Sequence, residues 1–191
     1  APPGDGNGCA FSPDGTYLAV AHYNSPCITV YKRDGDSFTK LSGIAALPGT
    51  GRSCAFSPDG TYLAVAHYDS PYITVYKRDG NSFTKLSGIA ALPGGGYSCA
   101  FSPDGTYLAV GHDYSPYITV YKRDGDSFTK LSALAALPGD GYGCAFSPEP
   151  DGTYLAVGHF RSPYLTVYKR DGDSFTKLSG IEALPGKGYG C

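Results

Sequence analysis

An all-β chain made of four consecutive antiparallel sheets is the fold class that the sequence predicts. Three observations predict it. The stretch Cys-Ala-Phe-Ser-Pro begins at Cys9, Cys54, Cys99 and Cys144 with a constant spacing of 45 residues, and Cys191 follows after 47. A fixed period in this range marks a repeat architecture. Each repeat holds four short runs of β-branched and aromatic residues, separated by Pro-Asp-Gly, Ser-Pro and Asp-Gly; such residues favour strands, and such separators favour turns. No segment sustains a 3.6-residue apolar period, so little or no helix is expected.

The second repeat serves for all four. Ser53-Cys54-Ala55-Phe56-Ser57 reads as a short strand a, with Cys54 and Phe56 on one face, ended by the turn Pro58-Asp59-Gly60. Strand b runs from Thr61 to His67 and alternates, with Leu63, Val65 and His67 on one face and Tyr62, Ala64 and Ala66 on the other. Asp69-Ser70-Pro71 breaks it. Tyr72 to Lys77 is strand c, and Arg78-Asp79-Gly80-Asn81 supplies a hairpin turn in which glycine accepts a positive φ. Ser82 to Leu86 is a more polar strand d, suited to an outer edge. Gly88 to Gly96 is a linker.

A single four-stranded sheet cannot bury two apolar faces by itself. The copies must therefore stack face to face, and radial stacking gives a β-propeller with four blades per chain. The expected organisation of 1–191 is four tandem blades at about 9–53, 54–98, 99–143 and 144–190, with Cys191 starting a fifth repeat. Ala1-Pro2-Pro3-Gly4 matches the linker Ala46-Leu47-Pro48-Gly49. That phase fits a piece of a longer array or a unit that closes with copies of itself. Two chains forming an eight-bladed ring, a compact four-bladed ring and an open array all remain open. The expected partner is the chain itself, as a dimer or a fibre.

The formal net charge of −2 offers no basic field for nucleic acid. No apolar run approaches the ~18 residues of a membrane span. Gly-rich phosphate loops, a serine nucleophile elbow and a His-Glu zinc motif are all missing, so neither a cofactor nor a metal is expected. His22, His67, His112 and His159 recur at one phase and read as hydrogen-bonded structural groups. The repeated cysteines read as small buried residues. A Cys9–Cys191 disulfide could staple a ring.

Phe-Ser-Pro-Asp-Gly followed by Tyr-Leu-Ala-Val and then Ile-Thr-Val-Tyr resembles the blade core of the WD-repeat and YVTN-type propeller families, over essentially the whole chain. Two departures stand out. Tyr76 and Lys77 occupy the place of Trp-Asp, and no Gly-His precedes strand a. The phrase Ser-Pro-Asp-Gly-Thr-Tyr-Leu-Ala-Val also resembles tandem-repeat proteins of bacteria and their phages, and near-identical copies equally fit a designed or consensus array.

Differences among the copies gather in the b–c loops and the d–a linkers, which share one rim of a meander blade. The candidate binding residues on that rim are Tyr23, Asn24, Arg52, Tyr68, Asp69, Tyr97, Asp113, Tyr114, Tyr142, Phe160, Arg161 and Tyr189. Loops on a rigid scaffold are where binding usually sits. The resulting expectation is a non-catalytic binding or recognition module for a glycan or protein surface, on a phage particle or bacterial exterior. The alternative is a structural assembly unit: a self-associating propeller, an extracellular fibre subunit or a designed scaffold. No enzyme is expected, because near-identical copies argue against one asymmetric site.

Overall fold

The computed structural model describes residues 2–132 and 134–190. Blade 1 contains β1 (Gly6–Phe11), β2 (Tyr17–His22), β3 (Ile28–Asp34) and β4 (Ser37–Lys40). Blade 2 contains β5 (Gly51–Phe56), β6 (Tyr62–His67), β7 (Ile73–Asp79) and β8 (Ser82–Lys85). Blade 3 contains β9 (Gly96–Phe101), β10 (Tyr107–His112), β11 (Ile118–Asp124) and β12 (Ser127–Lys130). Blade 4 contains β13 (Gly141–Phe146), β14 (Tyr154–His159), β15 (Leu165–Asp171) and β16 (Ser174–Lys177). Every sheet is a sequential antiparallel meander, and the described residues contain no helix. The chain is therefore an all-β, propeller-like array of four blades.

Local chemistry accounts for both turns of a blade. At the a–b turn the Ser12 hydroxyl donates to Asp14 Oδ1 at 2.5 Å, and the Thr16 N–H donates to the same oxygen at 2.9 Å. Gly15 closes this turn at φ +67°, a conformation that costs a side-chain-bearing residue ~1–2 kcal/mol. The c–d hairpin is tighter than the sequence suggests, since Asp79 still pairs with Ser82 and only Gly80 and Asn81 lie between the strands. Tyr72, expected to open strand c, instead takes φ 69° in the loop before Ile73.

Strand a starts earlier than expected. Gly51 pairs with His67 and Ser53 with Ala66, so Arg52 is left between them without a partner. The same one-residue bulge recurs at Asn7, Tyr97 and Tyr142. In blades 2 to 4 the residue before the bulge must be glycine, because the preceding blade is so near. A Cβ on Gly51 would lie 2.3 Å from the Cys27 carbonyl oxygen, and one on Gly96 would lie 2.5 Å from that of Tyr72.

Blades pack in chain order, β1 on β5, β5 on β9 and β9 on β13, and no comparable contact joins β13 to β1 among the described residues. The core lies in the three spaces between blades. Each space joins strands b and c of one blade to strands a to d of the next, as in the cluster of Tyr62, Ala64, Val75, Leu92, Cys99, Leu108, Tyr121 and Phe128. Tyr17, Tyr62 and Tyr107 meet Phe83, Phe128 and Phe175 of the following blade edge-on, at 5.6–5.7 Å. The Tyr76, Tyr121 and Tyr168 hydroxyls donate to the Ala45, Ala90 and Ala135 carbonyls of the preceding linker at 2.6–2.7 Å.

This tyrosine bond sets a stability test. Tyr121 is fully buried. Tyr121→Phe removes the hydrogen bond to Ala90, an exposed linker residue, and is expected to cost about 1 kcal/mol. Tyr121→Ala also opens a cavity and is expected to cost about 3–5 kcal/mol. Urea midpoints of the two variants check the order.

Candidate functional site

The bulge residues make the site. A bulge re-aims the side chain that it releases from the ladder. Asn7, Arg52, Tyr97 and Tyr142 stand at one register in successive blades, and Tyr189 continues the series after Gly188. From Arg52 onward their side chains meet in order, while Asn7 reaches the backbone beside Arg52. Asn7 Nδ2 donates to the Gly51 carbonyl at 2.8 Å. The Arg52 guanidinium lies 5.5 Å from the Tyr97 ring centre and 5.6 Å from that of Tyr68. Tyr97 and Tyr142 are 5.0 Å apart, Tyr142 and Tyr189 are 5.3 Å apart, and Phe160 meets Tyr142 at 6.2 Å.

Arg52 is half-buried, its Nε is enclosed without a hydrogen-bond partner, and no carboxylate pairs with it among the described residues. A guanidinium held between two aromatic faces gains roughly 0.5–2 kcal/mol per face. Its Nη groups, with no carboxylate partner among the described residues, are the donors it can offer an anion. Burial raises the Tyr97 pKa, with the Asp113 and Tyr142 charges adding to it and Arg52 opposing. Burial also raises that of Tyr142, helped by Asp140.

Beside this ladder, Tyr68, Asp69, Tyr72, Gly94, Gly95, Asp113 and Tyr114 surround a cleft of ≈ 280 Å³ between blades 2 and 3. Gly94 belongs there, because a Cβ on it would lie 2.3 Å from an Asp113 carboxylate oxygen. The Asp113 carboxylate lies over Gly94 and Gly95, with Tyr68, Tyr72 and Tyr114 around it, whereas the Asp69 carboxylate packs against Gly49.

Of the residues expected on this rim, Arg52, Tyr68, Tyr97, Tyr142, Phe160 and Tyr189 form one connected run, and Asp69, Asp113 and Tyr114 join Tyr68 at the cleft. Tyr23 is exposed, Asn24 Nδ2 donates to the Pro3 carbonyl, and Arg161 lies over Gly139. Asn7 went unrecognised in the sequence. The 45-residue register that links it to Arg52 was legible, but the bulge that turns this register inward was not.

The histidines serve the scaffold. His22, His67, His112 and His159 are fully buried, and each Nε2 shares a 3.0 Å hydrogen bond with a threonine Oγ1 of strand c. No group of three metal-ligating side chains forms among the described residues. Burial pushes the Cys54 thiol up to about 12 and raises Cys99 as well, which suits packing and not nucleophilic attack. Cys9 is an exposed free thiol, while Cys191, its expected disulfide partner, lies outside the described residues.

Comparison with known proteins bears on these observations. Residues 9–99 match the model of the lactonase, 7-bladed beta-propeller family, and residues 94–118 match the WD domain, G-beta repeat. No curated protein matches the sequence. Among solved structures, the Pseudomonas aeruginosa periplasmic gluconolactonase PpgL is similar at 20% identity and TM-score 0.74, covering 96% of this chain and 56% of its own. A candidate 6-phosphogluconolactonase of Bacteroides uniformis is similar at 18% identity and TM-score 0.76, covering 93% and 55%. Chaetomium thermophilum Sqt1, bound to the N-terminus of ribosomal protein L10, is similar at 21% identity and TM-score 0.71, covering 94% and 49%. The chain spans about half the length of these structures. The likeness establishes the propeller fold and the WD-type character of the repeat.

These findings correct the functional expectation. A non-catalytic recognition module or assembly unit of a phage particle or bacterial exterior is contradicted by the match to an enzyme family over blades 1 and 2 and by neighbours named for gluconolactone chemistry. The expectation that the chain is not an enzyme falls with it. The inference failed because it treated the copies as equivalent. They differ at the bulge, where one register carries Asn, Arg, Tyr and Tyr in turn.

Histidine burial predicts a pH dependence of stability. His67 and His112 are pushed down from 6.5 to about 4, because burial disfavours the imidazolium; Lys85 and Lys130 act in the same direction. Their contribution is complete above pH 6.5 and is lost as pH falls towards 4, because the unfolded chain then binds protons that the folded chain refuses. Asp14 and Asp59, held near 2, lose their contribution only below the ordinary carboxylate value of 3.8. Tm measured against pH is therefore expected to be level near neutrality and to decline from pH 6.5. A curve flat down to pH 4.5 would contradict the buried neutral histidines.

Proposed function

We propose that the chain belongs to a lactonase-type propeller that hydrolyses a sugar-derived lactone, with its site at Arg52, Tyr97 and the Asp69–Asp113 cleft. The match of residues 9–99 to the lactonase model carries this reading, because that stretch holds Arg52, Tyr68, Asp69 and Tyr97. The geometry supports it through its division of labour. Tyr97 and Tyr142 offer flat faces on which a sugar ring can stack. The cleft carboxylate of Asp113 takes the proton of an attacking water as its oxygen bonds to the lactone carbonyl carbon. Negative charge then builds on the carbonyl oxygen, and the unpaired Arg52 guanidinium is the group that stabilises it. When the ring C–O bond breaks, the proton passes from the carboxylic acid to the departing alkoxide, leaving an open hydroxy acid.

Arg52 suits this role because it brings charge without a carboxylate to quench it. The same guanidinium would hold the phosphate of a phosphorylated sugar lactone.

A pH-stat assay of glucono-1,5-lactone and its 6-phosphate ester tests the reading. Hydrolysis above the uncatalysed rate is expected for at least one of them. Arg52→Ala is expected to lower kcat/KM about 100-fold, the usual loss of an oxyanion donor. Tyr23→Ala, in the blade 1 loop away from the cleft, should leave it unchanged. Background rates on both lactones would sink the assignment.

A further inference from the structure

The cleft between blades 2 and 3 is built from departures that one repeat makes from the others. Gly95 has Asp5, Thr50, Asp140 and Lys187 as its counterparts, so it alone carries no side chain at that place in the linker. A Cβ on Gly95 would lie 3.1 Å from an Asp113 carboxylate oxygen and 3.4 Å from Tyr68 Cδ2, so any side chain there would fill the space between those two groups. The b–c loop of blade 3 departs at the same spot. Its histidine is followed by Asp113-Tyr114, where the other copies have Tyr23-Asn24, Tyr68-Asp69 and Phe160-Arg161. A carboxylate thus stands where every other copy has an aromatic ring. Both departures lie inside the array, and they meet at one cleft.

The chemistry of that cleft suits a cation. Tyr68, Tyr72 and Tyr114 give it aromatic walls, and no lysine, arginine or histidine is among its lining residues. Asp113 has no ion pair among the described residues. An aromatic face attracts a cation within about 6 Å of its centre. Tyr68 shows that attraction already, because the Arg52 guanidinium lies 5.6 Å from its ring centre. The frame is held by backbone bonds: the Asp113 N–H donates to the Gly95 carbonyl at 3.1 Å, and the Tyr72 N–H to the Asp69 carbonyl at 2.8 Å. At ≈ 280 Å³ the cleft is smaller than the roughly 300 Å³ at which pockets enclose a drug-sized ligand, so it fits a small headgroup. A primary ammonium brings three N–H donors that each need an acceptor. A quaternary ammonium has none, and aromatic faces with one carboxylate are sufficient for it.

We propose that this cleft binds a quaternary ammonium group, with its charge against Asp113 and its methyl groups against the tyrosine walls above Gly95. The inference goes beyond lactone hydrolysis and does not rest on it. It bears on that reaction in one way. The cation occupies the carboxylate that receives the water proton, so a bound quaternary ammonium competes with the lactone. Free choline and the choline headgroup of a lipid share this chemistry.

Isothermal titration calorimetry of the full chain with choline and with its uncharged isostere 3,3-dimethyl-1-butanol tests the proposal. Choline is expected to bind saturably and about tenfold more tightly than the isostere. Asp113→Asn should erase that preference. Gly95→Thr, which repeats the Thr50 of the preceding linker, should lose choline binding with unchanged circular dichroism. Flotation with phosphatidylcholine vesicles separates the two sources: recovery with the vesicles assigns the lipid headgroup, and binding of free choline alone assigns a soluble ligand. No saturable binding of choline, equal affinity for choline and the isostere, or parent affinity in Gly95→Thr would each overturn the proposal. The titrations contain no lactone, so choline binding and lactone hydrolysis can fail separately.

Discussion

Everything in this molecule depends on burying both faces of each small sheet. A blade has four short strands and almost no core of its own. Leu63, Val65 and Tyr76 on one side and Ala64, Ala66, Ile73 and Val75 on the other are buried only because neighbouring blades cover them. At about 25 cal/mol per Å² of apolar surface, that coverage is the main favourable contribution to folding. The polar contacts then set the angle between blades. Tyr62 does both jobs: its ring meets Phe128, its hydroxyl donates to Asp126, and Arg123 lies 5.0 Å over its face.

This constraint sorts the positions of the repeat into those that can vary and those that cannot. Tyr-Leu-Ala-Val, Thr-Val-Tyr-Lys and Ser-Phe-Thr-Lys are the same in all four copies, because each of those stretches supplies an interface. Free positions remain at the bulge, in the b–c loop and in the linker. Variation among the copies is therefore concentrated at those positions, in very few side chains. Asn7, Arg52, Tyr97 and Tyr142 share a register, yet only Arg52 brings a charge.

Much of the fold was legible because spacing and alternation are linear properties. The 45-residue period, the Pro-Asp-Gly and Asp-Gly turns and the alternation of Tyr62 to His67 each map onto structure directly. Tyr72 and Arg52 were not legible. Tyr72 belongs to a β-favouring run, but its backbone takes a left-handed conformation, with its N–H bonded to the Asp69 carbonyl at 2.8 Å. Arg52 lies in a glycine-rich stretch that reads as a loop, and only its pairing register reveals the bulge. The cleft was illegible for a further reason. Its lining comes from adjacent blades, with Tyr68 and Tyr72 from one and Asp113 and Tyr114 from the next, so its shape depends on the interblade angle, which no single repeat encodes.

The rim that carries these residues is also stiffer than its composition suggests. The Tyr68 N–H donates to the Thr50 carbonyl, Asp113 to Gly95 and Phe160 to Asp140, so each b–c loop is tied to the linker that enters its own blade. Beneath them, His67 and His112 fasten strand b to strand c through Thr74 and Thr119. A buried histidine in each copy is thus a mooring for the loop beyond it. Arg52 gains from that arrangement directly, because the tyrosines on either side of it belong to this tied frame: Tyr68 through its own N–H, and Tyr97 through the strand that Gly96 starts. A repeat selected for stacking has in this way produced a rigid rim, and a single substitution at the bulge register is enough to place a cation in it.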